Sequence, residues 1–475
     1  MRILALEASS TSAKAAIYDC ASKSLDVVTH RLQLDSPDCH DADAAIAQVL
    51  NLGRQHLAGR PVDLITLCST WHGLTLQSPD GASLTPVFPW SYSGAQDVET
   101  RLRTDAALPR WYYEHTGCPV SGSFPALKLV ALAEAGIDPT SGIVMDEGST
   151  LFERLTSTYA TTASLASGTG LLNVHTLEWD ADVPTALGLP ALRLPEIVPP
   201  HTTAPLTTTA AAALGLPAGT PVLAPGPDGA LSQLAAPGAA TLSMGTSGAL
   251  RVAVPAPVLS DDGSTWCYRC PDSWLVGAAT SGCGNELDRA RSTLLGGADY
   301  AAIEPRLRPG PRDVPTFLPF HFGERTPGWH SRRPAGFVGL APRHDAIDRY
   351  QAVLQGVVFN LRQGWDELVH LLGRPAHVRA SGGVLASSFW TQLTADVLGT
   401  DLELSSQQHA SIVGAIRLGL SALGADDDAG PTDSAAGIVR PNPELANYYR
   451  ERYGAYLDAY VRTPGSPNRQ ATAAG

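Results

Sequence analysis

The chain has 475 residues, of which 44% are hydrophobic and 17% are charged, and its formal net charge is −13. Since domains average roughly 150 residues, this length predicts two or three domains, and the composition excludes a disordered chain. The acidic balance argues against a nucleic-acid-binding protein, which needs a basic surface. No apolar run reaches the ~18 residues that span a bilayer, and Met1 leads straight into folded sequence. We therefore expect a soluble, cytoplasmic protein that binds neither a membrane nor a nucleic acid.

Seven cysteines are scattered along the chain, an odd number that does not suggest a disulfide framework. Cys267 and Cys270 form a single CxxC motif, without a second pair or a pair of histidines after it. Such an isolated motif occurs far more often in a packed strand than in a zinc or redox site. We interpret both residues as strand packing.

The chain opens with two strand-like apolar runs, residues 2–6 and 14–18, and a third follows at 26–34. Between the first two runs lies a turn of small hydroxyl residues that follows Glu7. Such a turn brings backbone N–H groups and hydroxyls to one point, where they can hold phosphate oxygens.

The same pattern returns about 235 residues later. Apolar runs at 239–244 and 249–254 enclose the turn 245–248, and a third run follows at 274–279. One Gly/Ser/Thr-rich turn between strands would carry little weight, but two in matched contexts indicate two homologous domains. Each domain is expected to begin with a phosphate-holding hairpin.

Strand and helix patterns alternate along the rest of the chain. Residues 125–135 and 347–368 have the apolar spacing of helices, and short strands at 63–69 and 377–380 run into glycine-containing turns. Residues 425–434 form an acidic insertion with Gly and Pro, which is typical of a surface loop.

Asp228 is the residue that points most directly to chemistry. It lies in a Gly/Pro-rich turn after a short strand at 221–224, where a carboxylate could take a proton from a hydroxyl nucleophile. Taken alone, an Asp in such a turn is more often a turn former, Glu7 a surface charge and His72 a structural histidine. The chain has no GxxxxGK[ST] loop, no HExxH and no GxSxG motif.

The order of these segments resembles that of the FGGY carbohydrate kinases, in the ATPase clan that includes actin and hexokinase. The likeness runs from residue 2 to about residue 462. The gluconate-kinase-like branch is the most similar through residues 167–172 and 228–248. The resemblance rests on seven segments in the family's order: 6–14, 71–73, 165–172, 225–229, 245–248, 323–329 and 381–383.

The resemblance implies an α/β fold of two homologous ribonuclease-H-like (actin-like ATPase) domains with the active-site cleft between them. Residues 1–237 would form the N-terminal domain, with substrate binding, the first phosphate loop and the catalytic Asp. Residues 238–462 would form the ATP-binding C-terminal domain, and 463–475 a disordered tail. Members of this family are commonly homodimers, and no segment here predicts the oligomeric state.

The resemblance also implies the reaction: phosphorylation by ATP of a hydroxyl on a sugar, polyol, aldonate or cyclitol. Asp228 would be the general base, and Mg²⁺ would be held through Glu7 and water. The residues expected to bind the nucleotide are Ser10, Thr11, Ser12, Lys14, Gly245, Thr246, Ser247, Gly282, Gly382 and Gly383. The residues expected to bind the small-molecule substrate are Trp71, His72, Trp90 and Tyr92.

Three departures from the family pattern bear on this expectation. Glu7 stands where Asp is usual, Ser9 stands where Gly is usual, and residues 90–94 (WSYSG) replace a Trp-Asn-Asp-x-Arg segment whose charges grip sugar hydroxyls. We therefore expect an uncharged substrate pocket with Trp71, Trp90 and Tyr92, suited to a bulkier or less polar acceptor such as a cyclitol or deoxysugar.

Two alternatives to an active sugar kinase stay open. A pseudokinase would bind nucleotide or ligand without transferring phosphate, which the changes at Glu7 and Ser9 and the missing Asp–Arg pair of residues 90–94 favour. The presence of Asp228, Lys14 and Thr246 argues against it. An actin-like ATPase that acts on protein partners is a weaker alternative, because nothing in the sequence indicates a protein-binding groove.

Overall fold

The computed structural model describes residues 1–9, 11–34, 36, 38–407, 409–425, 430–431 and 435–463. Ser10, which the sequence predicts in the first phosphate turn, lies outside these residues. So do most of the acidic insertion and the tail after Thr463.

The strands form two large mixed sheets and three two-stranded sheets among the described residues. In chain order they are β1 (Arg2–Ala8), β2 (Ser12–Asp19), β3 (Ser24–Arg31), β4 (Leu64–Ser69), β5 (Thr75–Gln77), β6 (Ile143–Met145), β7 (Ala160–Thr162), β8 (Glu196–Val198), β9 (Thr203–Pro205), β10 (Pro221–Leu223), β11 (Gly226–Pro227), β12 (Ala240–Met244), β13 (Gly248–Val254), β14 (Trp266–Arg269), β15 (Trp274–Thr280), β16 (Thr316–Leu318), β17 (Gly336–Val338), β18 (Val378–Ser381), β19 (Leu402–Ser405) and β20 (Ala435–Val439).

The helices surround the two large sheets. In chain order they are α1 (Ala42–Leu57), α2 (Gln96–Leu102), α3 (Leu108–Thr116), α4 (Pro125–Glu134), α5 (Glu147–Thr156), α6 (Ala163–Ala166), α7 (Asp182–Ala186), α8 (Thr208–Leu214), α9 (Asp228–Leu234), α10 (Gly284–Leu295), α11 (Tyr300–Ile303), α12 (Ala346–Leu372), α13 (Ser388–Leu398), α14 (Ala410–Ala422) and α15 (Ala446–Arg462). None of the helices in the described part of the chain is long and apolar enough to cross a membrane.

The two large sheets share a core of five strands in the same order, β3-β2-β1-β4-β10 in the first and β15-β13-β12-β18-β19 in the second. The first runs β3-β2-β1-β4-β10-β9, with β11 also paired to β4, and the second runs β14-β15-β13-β12-β18-β19-β20. In each sheet an antiparallel hairpin leads from the central strand, which pairs in parallel with a later strand on its other side. This duplication confirms the predicted pair of homologous α/β domains.

Each predicted phosphate turn is the tip of a central hairpin. In the first sheet Glu7 pairs with Lys14 across the turn, and in the second Met244 pairs with Gly248. The apolar runs predicted on either side of both turns are strands in the structure. Both turns lie at the ends of buried strands, which fixes their positions relative to the sheets.

The predicted helix at residues 347–368 lies within α12. Asp345 accepts a hydrogen bond from the backbone of Asp348, and the Asp348 side chain accepts one in return, which forms a capping box. The predicted apolar face packs into the core of the second half, where Val357 and Trp365 are fully buried. Amphipathic spacing was therefore sufficient to locate this helix.

Helix α14 belongs to the second half by sequence but packs on the first sheet. Ile412 and Ile416 lie in one apolar cluster with Ile3 and Leu64. α14 also crosses α9, and the two helices are so close that a Cβ atom built on Gly414 would overlap the carbonyl oxygen of Leu231. The two halves are thus joined by a helix crossing that only glycine permits.

We expect Gly414→Ala to destabilise the fold. The added methyl group meets backbone rather than a flexible side chain, so the helices must separate, at a cost of ~3 kcal/mol or more of unfolding free energy. Chemical denaturation would measure the loss.

Gly454→Ala is the matched control, because a Cβ at Gly454 in α15 meets nothing within 4 Å. It should be neutral or gain up to ~1 kcal/mol. Equal stability of the two variants would contradict the tight crossing.

Candidate active site

The two hairpin turns face each other across a cavity of about 440 Å³ between the halves. Both halves line it, since it includes residues from β1 and α9 as well as from β13. The predicted site residues that line it are Glu7, Thr11, Lys14, Trp71, His72, Trp90, Asp228, Gly245, Thr246, Ser247 and Gly382.

A second cavity, also of about 440 Å³, lies within the second half and shares Gly245 and Thr246 with the first. Gly383, another predicted nucleotide residue, lies on its wall. Most of the wall is apolar: Leu287, Ile303, Leu307, Leu354, Val384 and Trp390. The second hairpin turn therefore separates a polar cavity at the domain junction from an apolar one.

The start of α10 holds the second hairpin turn in place. The backbone N–H groups of Gly284 and Asn285 donate to the carbonyls of Gly245 and Thr246 at 2.9 and 3.2 Å. A Cβ on Gly284 would lie 2.7 Å from the Gly245 oxygen, so glycine is needed for this approach. Gly382, at φ +105°, packs equally closely against Met244. The turn is thus held by α10 on one side and by Gly382 on the other.

Asp228 is the first residue of α9 and faces the cavity at the junction of the halves. Its carboxylate accepts a 2.7 Å hydrogen bond from the backbone N–H of Gly229. Burial raises the pKa of Asp228 to about 6, against the opposing effects of Arg251, the Gly229 N–H group and Lys14. The result is a carboxylate that is largely ionised at neutral pH but can readily accept a proton.

Glu7 and Lys14 form a buried ion pair at the first hairpin. Burial lowers the pKa of Lys14, but the Glu7 carboxylate outweighs it and leaves the pKa above its ordinary value. The other Glu7 oxygen accepts a 2.6 Å hydrogen bond from the Ser411 hydroxyl of α14. Both carboxylate oxygens of Glu7 therefore already have partners, one of them on a helix of the second half.

Trp71 and His72 follow β4 and form one wall. The Trp71 indole is held between Gly168 and Gly229, and its Nε1–H donates to the Ser164 carbonyl at 2.8 Å. His72 Nδ1 donates to the Gly168 carbonyl at 2.6 Å. Burial lowers the pKa of His72 to about 3, so its ring is neutral and Nε2 carries a lone pair.

Two aromatic residues of this wall were not predicted from the sequence. Trp266 and Tyr268 stack on each other at 4.2 Å between ring centroids, and Tyr268 lies 5.1 Å from Trp71. They are two residues apart on β14, so both side chains project from one face of the sheet. The alternate spacing could have indicated from the sequence that the two rings share a face, but only the fold shows that this face lines the cavity.

The expectation of an uncharged substrate pocket was wrong. Arg251 and Arg325 both line the cavity. Arg325 lies with its guanidinium carbon 4.7 Å from the centre of the Trp90 ring. The expectation rested on residues 90–94, whereas Arg251 and Arg325 come from the second half of the chain, Arg325 from the segment 323–329.

Arg325 stands apart from acidic groups. Its side chain makes no hydrogen bond or ion pair within the described ranges, and Arg251 bonds only the Ser243 hydroxyl there, at 3.1 Å. Burial lowers the pKa of Arg325 to about 10, which leaves it cationic at neutral pH. Among the described residues, the two guanidinium groups of the cavity therefore have no carboxylate at ion-pair distance.

Three of the predicted site residues lie elsewhere in the described structure. Tyr92 packs on Phe88, with ring centroids 4.8 Å apart, and does not line either cavity. Gly282 packs against Glu286, and Ser12 bonds Ser9 within the first turn. The structure therefore places these three residues beside the cavities, not on their walls.

Comparison with known proteins gives the same family for both halves. The model of the N-terminal domain of the FGGY family of carbohydrate kinases matches residues 3–235, and that of its C-terminal domain matches residues 240–423. A gluconokinase of Bacillus licheniformis is 26% identical, with 96% of this chain and 95% of that protein aligned. A xylulose kinase of Escherichia coli K12 is 29% identical over 74% of each chain.

The fold agrees with solved structures of such kinases. A gluconate kinase from Lactobacillus acidophilus superposes with a TM-score of 0.88 at 25% identity, covering 96% of this chain and 97% of that one. A xylulose kinase from the same organism gives a TM-score of 0.87. The chain belongs to the FGGY family of carbohydrate kinases, is similar to its gluconate-kinase-like branch, and is a carbohydrate kinase.

Proposed function

We propose that this kinase transfers the γ-phosphate of ATP to a hydroxyl of a sugar acid, an aldonate such as gluconate, with Asp228 as general base. The observation that carries the proposal is the cavity at the domain junction. It brings a carboxylate with a pKa of about 6 together with two hairpin turns and two guanidinium groups.

Asp228 fits the role of base by position and by charge. Its carboxylate lies between the two turns and accepts only the Gly229 N–H bond within the described chain, so it can still accept from a hydroxyl. As the acceptor oxygen attacks the γ-phosphorus, the bond from that phosphorus to the bridging oxygen of ADP would break, ADP would leave, and the O–H proton would pass to Asp228. Phosphoryl transfer depends mainly on such positioning and on neutralisation of charge.

The nucleotide would lie across the second hairpin turn, with its base in the apolar cavity and its phosphates towards the first. Thr11 and Lys14 would meet the γ-phosphate, and Thr246 the inner phosphates. Mg²⁺ would neutralise phosphate charge. Glu7 is the carboxylate of this cavity that would hold it, through water because both of its oxygens have partners.

The cations of the cavity favour an acidic acceptor over a neutral one. A guanidinium without a carboxylate partner leaves buried charge that an aldonate carboxylate would neutralise through bidentate hydrogen bonds. Arg325 has this character and lies over Trp90, the predicted substrate residue. The similarity to gluconokinases supports the same substrate class, whereas a ketose such as xylulose would leave the charge unpaired.

A pseudokinase is the alternative. Its support is the first turn, where Glu7 is already bonded to Lys14 and Ser411 and is not free to face a metal directly. It predicts nucleotide binding without phosphorylated product.

Asp228→Asn should reduce kcat by about 10²- to 10⁴-fold, the usual contribution of a general base, because the amide cannot accept the proton. Phosphorylated product would be measured by mass spectrometry after incubation with Mg-ATP and gluconate. The rise in melting temperature on ATP binding should persist in the variant and serves as its control. ATP binding without turnover in the wild type would favour the pseudokinase.

The pH profile of kcat/KM should show a loss of activity on the acidic side, beginning near pH 6. Because the base acts ionised, kcat/KM should fall about tenfold per pH unit below the pKa of Asp228, about 6. Arg251→Met removes a cation that lowers this pKa, so the loss of activity should begin at higher pH. An unchanged pH profile in the variant would argue against Asp228 as the titrating group.

Arg325→Met should raise KM for gluconate by roughly 10- to 100-fold, since a charge-assisted hydrogen bond contributes ~1.5–3 kcal/mol. KM for ATP should stay unchanged. Arg332→Met is the matched control, because Arg332 lies in the same loop but pairs with Asp97 at the surface. An equal loss with a neutral polyol would contradict recognition of the acid group.

A further inference from the structure

We propose that Lys128 is a positioning residue that holds both acceptor-binding loops in place. These loops are residues 71–73, which carry His72, and residues 88–90, which carry Trp90. The inference rests on the proposed function, because it assigns these loops to the acceptor. Lys128 itself lies behind the cavity and does not line it within the described structure.

The ammonium group of Lys128 joins the two loops directly. The side chain projects from α4, is completely buried, and its Nζ donates to the carbonyls of His72 at 2.6 Å, Phe88 at 3.0 Å and Pro89 at 2.6 Å. An ammonium has three N–H donors, and here each has a backbone acceptor. Two backbone hydrogen bonds between Leu74 and Phe88 join these segments at one end. Lys128 extends the link to the carbonyls of His72 and Pro89, which lie beyond that pair.

A buried ammonium would not be needed for packing alone. Burial lowers the pKa of Lys128 well below its ordinary value, Arg325 lowers it further, and the Glu147 carboxylate raises it. An apolar side chain of similar size could fill the same volume without this desolvation penalty. The specific property of Lys128 is its set of three directed hydrogen bonds.

The first loop needs such a restraint. His72 has φ +72°, a left-handed conformation that is unfavourable for a residue with a bulky side chain. Two hydrogen bonds hold it there, from Lys128 to its carbonyl and from its own Nδ1 to the Gly168 carbonyl. This conformation places the neutral ring on the cavity wall, so loss of the Lys128 bond should let His72 relax out of position.

A carboxylate also restrains the first loop. Glu147 accepts from the hydroxyl of Thr70, the residue before the loop, at 2.5 Å, and pairs with His40 Nε2 at 2.9 Å. A Cβ atom on Gly73, the last residue of the loop, would lie 3.1 Å from the Glu147 side chain, so Glu147 lies against the loop as well. Removing Lys128 would leave the restraint from Glu147.

The second loop carries Trp90 directly after the bonded carbonyl of Pro89. The Trp90 ring in turn supports Arg325, the cation proposed to bind the acceptor's acid group. Displacement of this loop would therefore disturb acceptor binding through Trp90 and Arg325 together, whereas the nucleotide cavity in the second half would remain intact.

Lys128→Met is the principal test, because Met keeps the apolar stem and removes the donors. We expect KM for gluconate to rise at least tenfold, while KM for ATP and the slow hydrolysis of ATP without acceptor stay within about twofold. Lys128→Gln keeps two N–H donors and should lie between Met and wild type. If Lys128→Met does not fold, the same KM measurements are made on Lys128→Gln.

Leu129→Ala is the matched control for lost stability. Leu129 is the next residue of α4 and is fully buried. It packs in the apolar cluster that contains Trp71 and Phe88, and its side chain has no hydrogen-bonding group. At comparable loss of melting temperature it should leave KM for gluconate unchanged. An equal rise in KM in both variants would overturn the inference and reduce Lys128 to a stability residue.

A double-mutant cycle tests whether Lys128 acts through His72. If it does, the combined loss of kcat/KM in Lys128→Met with His72→Ala should be smaller than the product of the single losses. Fully multiplicative effects, together with unchanged KM for gluconate in the single Lys128 variant, would overturn the inference.

Amide hydrogen exchange separates this inference from the proposed function. Lys128→Met should speed exchange in residues 71–74 and 88–90 relative to Leu129→Ala, whatever the substrate is. If wild type phosphorylates no sugar acid but this difference appears, the proposed function fails and the loop restraint stands. If wild type is active and exchange in both segments is unchanged, the restraint is wrong.

Discussion

The crossing of α9 and α14 is the constraint on which the rest of the site depends. Because Gly414 lies directly against the backbone of Leu231, the two helices meet without any side chain between them. Asp228 is the first residue of α9, and Ser411 lies one turn before the crossing on α14. Ser411 reaches back to Glu7 of the first hairpin. One glycine contact thus sets where the candidate base stands relative to the first phosphate turn.

On the acceptor side of the cavity, hydrogen bonds to backbone groups hold a loop of the second half against the first half. Glu99 of α2 accepts hydrogen bonds from Ser331, and Arg103 donates to the carbonyl of Gly328 at 2.8 Å. These bonds dock the loop that carries Arg325 onto the first half. Because the bonded groups are mostly backbone, the loop's path is fixed while the Arg325 side chain stays available to a ligand.

The sequence predicted those parts of the site that are contiguous along the chain. Both hairpins consist of an apolar run, a turn of small residues and a second apolar run, so each was recognisable locally. Arg325 lies in the recognised segment 323–329, but neither Arg325 nor Tyr268 was assigned to the pocket, because both reach the cavity from separate segments of the second half. Lys128 was missed for a different reason. On a predicted helix a lysine is expected at the surface, and only the fold shows three carbonyls converging on it.

The charge balance around Asp228 links chemistry to the arrangement of the halves. Two opposing effects set its pKa: burial raises it, and the cations Arg251 and Lys14 lower it. Lys14 belongs to the first half and Arg251 to β13 of the second. Any separation of the halves would weaken the effect of Arg251 but would also admit water to Asp228, and because burial is the largest effect, the pKa would fall towards its ordinary value. The base therefore has a pKa near 6 only while the two halves enclose it, which is also when both phosphate turns face the acceptor.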